Sequence, residues 1–323
     1  MKRHWQIWLA LFLIGIFVIL ALASPILAPP VNPGQNSPLK LAGPITDMMP
    51  HPPSSEAILG TTPQQYDVFY TVVWGSRNAL IFGLSVALVS ALVGTLIGVV
   101  SAYWGGTANR ISMSITDAFL TFPVIGAVVF ISMIFTMLYT NSGMYMSQTL
   151  QGNIVFTPIP GVTGISLNFL QSALFYFLVH VNRFALAIIL FSWMPYARII
   201  NNQVSRIKQA EYVIAAHATG VRKGRIIFRH LLPNSISPAI VLAARDVGSM
   251  VVLQATFTYI GVGGNSPWGQ LLSIGNKWIL GPGGSLSTYW WVYLPTTLAI
   301  ILFGLGWNLL GDELNNLLNP RER

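Results

Sequence analysis

Charge is scarce in this 323-residue chain: Lys and Arg number 17 and Asp and Glu 9, together 8% of the residues. A soluble domain carries about 25%, so this chain could not coat its own surface. Hydrophobic residues make up 53% and the mean hydropathy is +0.62, which points to an integral membrane protein. Cysteine is absent, which removes disulfides, Cys-ligated zinc and thiol catalysis together. No G-x-x-x-x-G-K-[ST] segment occurs, so the chain carries no P-loop to cradle phosphates. The five His are scattered without an H-E-x-x-H or other metal spacing, and no Ser/His/Asp arrangement can be argued. Neither a cofactor, a metal nor a catalytic site is expected. A net charge of +8 would suit nucleic acid only on a basic face of a folded domain, and this chain is too apolar to build one.

The uncharged stretches set the expected spans. About 20 apolar residues cross a bilayer core, and six segments qualify: Ile7–Leu27, Asn78–Tyr103, Phe119–Tyr139, Arg183–Gln203, Ser237–Val262 and Tyr289–Leu310. In the fourth, Arg183 and Arg198 bracket only 14 residues and can snorkel to opposite headgroup layers. The cluster Arg198, Arg206, Lys208, Arg222, Lys223, Arg225 and Arg229 faces a single acid, Glu211. Basic loops stay in the cytoplasm, so six spans place both termini inside and Lys40, Arg77 and Lys277 outside. The first run, from Trp5 to about Leu27, exceeds the 7–15-residue core of a cleaved leader, so a retained anchor is expected. The apolar stretch 164–180 is expected to lie along the outer interface.

Half of the 20 prolines fall in 25–63, which predicts an extended, polyproline-like arm, either a spacer or a strip lying along a partner. The stretches 140–163 and 263–288 are rich in Gly, Ser, Thr and Asn and read as outer connections. Gly94 and Gly98 form a small-xxx-small pair suited to close helix packing.

The informative connection is EYVIAAHATGVRKGRIIFRHLLP, from Glu211 to Pro233. Ala215, Ala216 and Ala218 predict a small-residue helix that fits a narrow groove. Gly220 suits the left-handed turn that ends it, and Pro233 suits the first turn of the next helix. Chemistry alone allows two readings: a short helix presented crosswise beneath the membrane, or a solvated basic hairpin that only satisfies topology.

The spacing of Ala215, Ala216, Gly220, Leu232 and Pro233 resembles the EAA loop of ABC importer permeases. Ile214 stands where that motif has its glutamate, and His230 stands at its usual isoleucine position. His51-Pro52, Leu59-Gly60-Thr61, Asp67-Val68-Phe69 and Gly75-Ser76-Arg77 resemble elements of the C-type permease subunit of dipeptide and oligopeptide importers. Thr62, Gln65 and Tyr66 replace the usual Asp, Gly and Arg there. Tyr103-Trp104-Gly105-Gly106, Pro195-Tyr196-Ala197-Arg198 and Asn308-Leu309-Leu310-Gly311-Asp312 resemble further signatures, while 137–178 is long for the family.

The resemblance implies an all-α integral membrane fold of six helices, with the coupling loop between the fourth and fifth. Its expected parts are an anchor helix (1–28), an extracytoplasmic arm (29–76), a five-helix core (77–312) holding the loop 205–235, and a cytoplasmic tail (313–323). It further implies a non-catalytic half of a peptide import pore in the plasma membrane, among membrane lipid. The partners would be a B-type permease subunit, two P-loop ATPases that bind ATP and Mg, and an extracytoplasmic binding protein. Coupling would fall to Glu211, Ala215, Ala216, Ala218, Gly220, Leu232 and Pro233. A sugar or nickel-complex importer, or an ATPase-independent secondary carrier, are the alternatives. Arg245 and Asp246 are charges inside the fifth span, and adjacent helical residues point about 100° apart, so each needs its own partner. They read as a lining of the translocation path or as inter-helix or inter-subunit contacts. Asp117, Asp312 and Glu313 read as solvated helix ends.

Overall fold

The computed structural model describes residues 5–30, 38–141, 144–148, 154–158, 182–281 and 284–318. The expected interfacial helix over 164–180 and the terminal basic residues Lys2, Arg3, Arg321 and Arg323 fall outside them. The helices in chain order are α1 (Trp5–Leu22), α2 (Val68–Trp104), α3 (Gly106–Leu120), α4 (Val124–Asn141), α5 (Arg183–Ser192) and α6 (Met194–Ile207). They continue as α7 (Glu211–Ala218), α8 (Ser237–Tyr259), α9 (Pro267–Leu280) and α10 (Trp290–Leu318). Between α4 and α5, strands β1 (Met144–Gln148) and β2 (Ile154–Pro158) pair antiparallel, Met144 opposite Pro158. Five helices are long and apolar enough to cross a membrane: α1, α2, Phe184–Ile207 (α5 and α6 together), α8 and α10. A sixth is counted if the α3–α4 pair, bent by 88°, forms one span.

That bend corrects the expected start of the third span. Pro123 lacks an N–H and disfavours helical geometry in the residue before it. The helix therefore breaks at 121–123, and Phe119 belongs to the amphipathic α3. There Phe119 and Phe122 pack on Phe191 of α5. The second span likewise starts ten residues before its expected position, because Asp67 caps it by accepting from the Tyr70 amide at 3.1 Å. At 37 residues α2 is roughly 55 Å long, well beyond the bilayer core of about 30 Å. It is the mast against which most other helices pack. Its Gly94 and Gly98 let α6 approach closely: a methyl group at Gly98 would lie 2.6 Å from the Ala197 carbonyl oxygen.

Two outer segments, the connection 263–288 and the arm expected to be extended, hold more structure than expected. Residues 263–288 contain α9, started by Ser266 as N-cap and Pro267 in the first turn. Its Trp268 is buried, donates its indole N–H to the Val72 carbonyl at 3.2 Å, and packs edge-on against Phe17 and Phe303. The proline-rich residues 38–67 fold back on themselves as a cap over the start of α2. Asp67 N–H donates to the Lys40 carbonyl, Ala42 N–H to Gln65 and Thr61 N–H to His51. Leu39 and Tyr66 then join Val68 and Leu271 in a buried cluster. Outside the spans, His51 holds the Asp47 carboxyl below its usual range, whereas burial pushes Asp67 above it.

Candidate functional site

The loop after α6 lies at the far end of α2 from the cap. Lys208 closes α6 and donates its ammonium to the Ala102 carbonyl in the last turn of α2 at 2.9 Å. A short turn leads into α7, eight residues long and too short to persist alone. Its hold on the core is Val213, fully buried among Val99, Ala102, Tyr196, Ile200, Val204, Ile226, Leu231 and Ala239. Two ring contacts steady it. His217 stacks on Tyr103 with centroids 5.9 Å apart, and Tyr212 meets His230 at 6.2 Å.

Against that anchored side, Glu211, Ala215, Ala218 and Gly220 are exposed and Ala216 is half-buried. Gly220 ends α7 at φ +75°, its N–H donating to His217 and the Val221 N–H to Ala216. No atom lies within 4 Å of where a Cβ would stand, so the backbone angle is what requires glycine there. The chain returns through Lys223–Ile226, the π-helical Ile227–Leu231 and Leu232–Ser235. Leu231 is fully buried and Leu232 half-buried, with Pro233 exposed in the first turn of the last piece. The structure thus brings the predicted loop residues together on one short hairpin, with the small residues facing outward.

Arg245 and Asp246 lie apart from that hairpin and point to different partners. Arg245 Nη2 donates to Asp312 Oδ1 of α10 at 2.5 Å, and Tyr196 Oη of α6 donates to Asp246 Oδ2 at 2.6 Å. Arg198, two residues beyond Tyr196, donates to Asp117 of α3 at 2.5 Å. These three ties link α3, α6, α8 and α10 in sequence. Asp117 and Asp312 keep side chains 48% and 57% exposed, as expected of solvated ends, while each also pairs with an arginine from a distant helix. Glu313 is buried, 5% exposed, because α10 turns that side inward against its neighbours. Val213 was missed, although it is an apolar residue among small ones. The ties carry no local signal, their partners lying 50, 67 and 81 residues apart.

Among the described residues no group of three or more His, Cys, Asp or Glu is placed to hold a metal. The family described as binding-protein-dependent transport system inner membrane component matches residues 94–323. The chain is 27% identical over 324 residues to the dipeptide transport system permease protein DppC of Alkalihalophilus pseudofirmus, covering 99% of this chain and 88% of the relative. It is 28% identical over 273 residues to the probable D,D-dipeptide transport system permease protein DdpC of Escherichia coli, covering 84% and 75%. It is also 28% identical over 279 residues to the glutathione transport system permease protein GsiD of Pectobacterium atrosepticum, covering 85% and 76%.

Proposed function

We propose that this chain, which belongs to the binding-protein-dependent transport system inner membrane component family, is one permease half of an ATP-driven importer of peptides. It is a multi-pass membrane protein and a transport component. Its substrate is read from relatives that are dipeptide, D,D-dipeptide and glutathione permeases by name. The observation that carries the reading is α7: a seated helix whose exposed face presents the small residues Ala215 and Ala218 beside Glu211 and Ile214. Small side chains let another protein's surface approach the backbone. Because Val213 and the His217–Tyr103 contact hold α7 against α2 and α6, and Tyr212 holds it to His230 on the return, a push on that face moves the membrane helices.

In this reading the P-loop ATPases that bind ATP and Mg are separate subunits, and α7 docks into a groove on one of them. Glu211, Ala215, Ala216, Ala218 and Gly220 form the docking element, with Leu232 and Pro233 setting its return. A B-type permease completes the pore, and an extracytoplasmic binding protein delivers the peptide above the cap. The anchor (1–28), arm (29–76), core (77–312) with the loop 205–235, and tail (313–323) serve as its working parts, with both termini cytoplasmic. Ion-coupled carriers use ionisable groups at a midplane site. Asp246 is already engaged by Tyr196, which disfavours a secondary carrier.

Affinity purification of the membrane complex in mild detergent tests this directly. A P-loop ATPase is expected to co-purify, and its absence would sink the importer reading. For orientation, a cysteine introduced at Lys223 should react with an impermeant maleimide only after permeabilisation, whereas one at Ser54 should react in intact cells.

A further inference from the structure

Beside α7 lies a cleft of about 500 Å³ lined by Tyr103, Trp104, Lys208, Gln209, Ile214, His217 and Lys223. We infer that this cleft holds the phosphate headgroup of one anionic phospholipid from the cytoplasmic leaflet, seated at the root of the coupling helix. The inference rests on the orientation proposed above, with residues 205–235 in the cytoplasm.

Four observations carry it. The first is charge: two lysines line the cleft and no acidic side chain does. The position where the EAA motif has glutamate is here Ile214, 56% exposed, so an apolar wall replaces the acid that would oppose the lysines. The second is an unanswered polar group. The Tyr103 hydroxyl is buried and has no hydrogen-bond partner among the described residues, and a buried hydroxyl left unpaired is costly. A phosphate oxygen would accept from it. The third is preorganisation. Lys208 is held by the Ala102 carbonyl, which uses one of its three N–H groups and leaves two to donate.

The fourth is depth. Trp104 ends α2, 64% exposed, 27 residues after Arg77, which lies over the Trp74 ring at the other end. That is roughly 40 Å of helix, close to the thickness of a bilayer with its headgroups, about 40–45 Å. Tryptophan favours that interface. The cleft therefore opens at headgroup level, with Trp104 and Ile214 beside the glycerol and upper acyl chain. A lipid there would brace α7 against α2 and make coupling depend on the charge of the leaflet.

The test uses the purified transporter complex in nanodiscs, with native mass spectrometry counting retained phosphatidylglycerol against phosphatidylcholine. Wild type should retain one phosphatidylglycerol that Lys208→Gln with Lys223→Gln loses. The expected drop is about fivefold in affinity per lysine and about thirtyfold for both. Ile214→Glu, which restores the motif residue, should also release the lipid while leaving the fold intact. Arg222→Gln, which is outside the lining, should retain it. Equal retention in the double variant would overturn the inference, as would equal loss in Arg222→Gln, which would mean a diffuse basic field. Displacement by millimolar inorganic phosphate without loss of coupling would show a free-anion site instead, also against it. Should the double variant shed the ATPase with its lipid count unchanged, the cleft belongs to the ATPase interface and the lipid reading fails while the importer reading stands.

Discussion

The cap formed by residues 38–67 and the loop 205–235 are of similar length and lie at opposite ends of α2, yet they use their backbone and side chains differently. Cap residues far apart in sequence bond to one another, as Asp67 does to Lys40 and Thr61 to His51. Two of its small residues are turned inward: Ala57 is 4% exposed, and Gly60 lies against Trp291 of α10. Loop bonds are mostly local, closing one helical turn at a time, and its small residues Ala215 and Ala218 face outward. The cap closes its backbone bonds within its own chain, although Met48, Met49 and Ile58 stay exposed. The loop has a buried side and a side left open, which is the form expected of a surface that another protein finishes.

The same substitution at equivalent small residues should separate the two most sharply. Ala215→Leu adds bulk to the open face of α7, where nothing in the chain resists it. Transport is expected to fall at least tenfold, a loss of about 1.4 kcal/mol or more in docking, while the thermal unfolding midpoint of the purified chain stays put. Gly220→Pro should act in the same direction and further, since proline fixes φ near −65° and removes the N–H that closes α7. ATPase stimulation by substrate should vanish with membrane insertion unchanged. In the cap, Ala57→Leu overpacks a buried position and should cost about 1–3 kcal/mol, read as a lower unfolding midpoint with transport per folded molecule retained. A midpoint drop for Ala215→Leu would mean the loop is as self-contained as the cap.

Between the two regions, the polar ties across α3, α6, α8 and α10 are nearer the loop, and their burial sets a second ordering. Tyr196→Phe removes the hydrogen bond to Asp246 and leaves that carboxylate without its hydroxyl. The expected cost is about 1.5–3 kcal/mol, measured by denaturation in detergent. Arg198→Gln breaks a pair whose side chains are 44% and 48% exposed, so screening limits the loss to under about 1 kcal/mol. Equal losses from both would show that the Arg198–Asp117 tie is covered in the assembled protein.

What the sequence could and could not disclose follows the same division. Spans are local properties of composition, so gaps between charges located the five long apolar helices and the bent α3–α4 pair. Pro123 and the Asp67 cap moved two starts, α1 ended five residues early and α10 ran eight residues further. The loop was legible because its function rests on a short ordered pattern, small residues then glycine then Leu-Pro. The cap was not, because a proline-rich stretch has no periodicity and its fold depends on pairs such as Lys40 with Asp67 and on α10 behind it. The helix α9 did carry a signal, Ser266 followed by Pro267, but glycine-rich flanks masked it. The partners of Asp117 and Asp312 were not legible for a simpler reason: nothing near them in sequence names an arginine 81 residues later or 67 residues earlier.

The smallest effect expected tests how the cap tolerates its own irregularity. Gln65 stands where the importer pattern has glycine, and it keeps the glycine-like backbone, with φ +60° next to Gln64 at +66°. A left-handed residue with a side chain costs about 1–2 kcal/mol. Its side chain offsets this, accepting from the Thr61 hydroxyl at 3.1 Å and donating to the Met49 carbonyl at 2.7 Å. Each such bond contributes about 0.5–1.5 kcal/mol net. Gln65→Gly should therefore change stability by less than about 1 kcal/mol, strain relief and lost bonds nearly cancelling. Gln65→Ala loses the bonds and keeps the strain, so it should unfold at a lower midpoint than Gln65→Gly by about 1 kcal/mol or more. If the two variants unfold together, the bonds alone hold the cap, and the backbone at position 65 has relaxed out of the left-handed region.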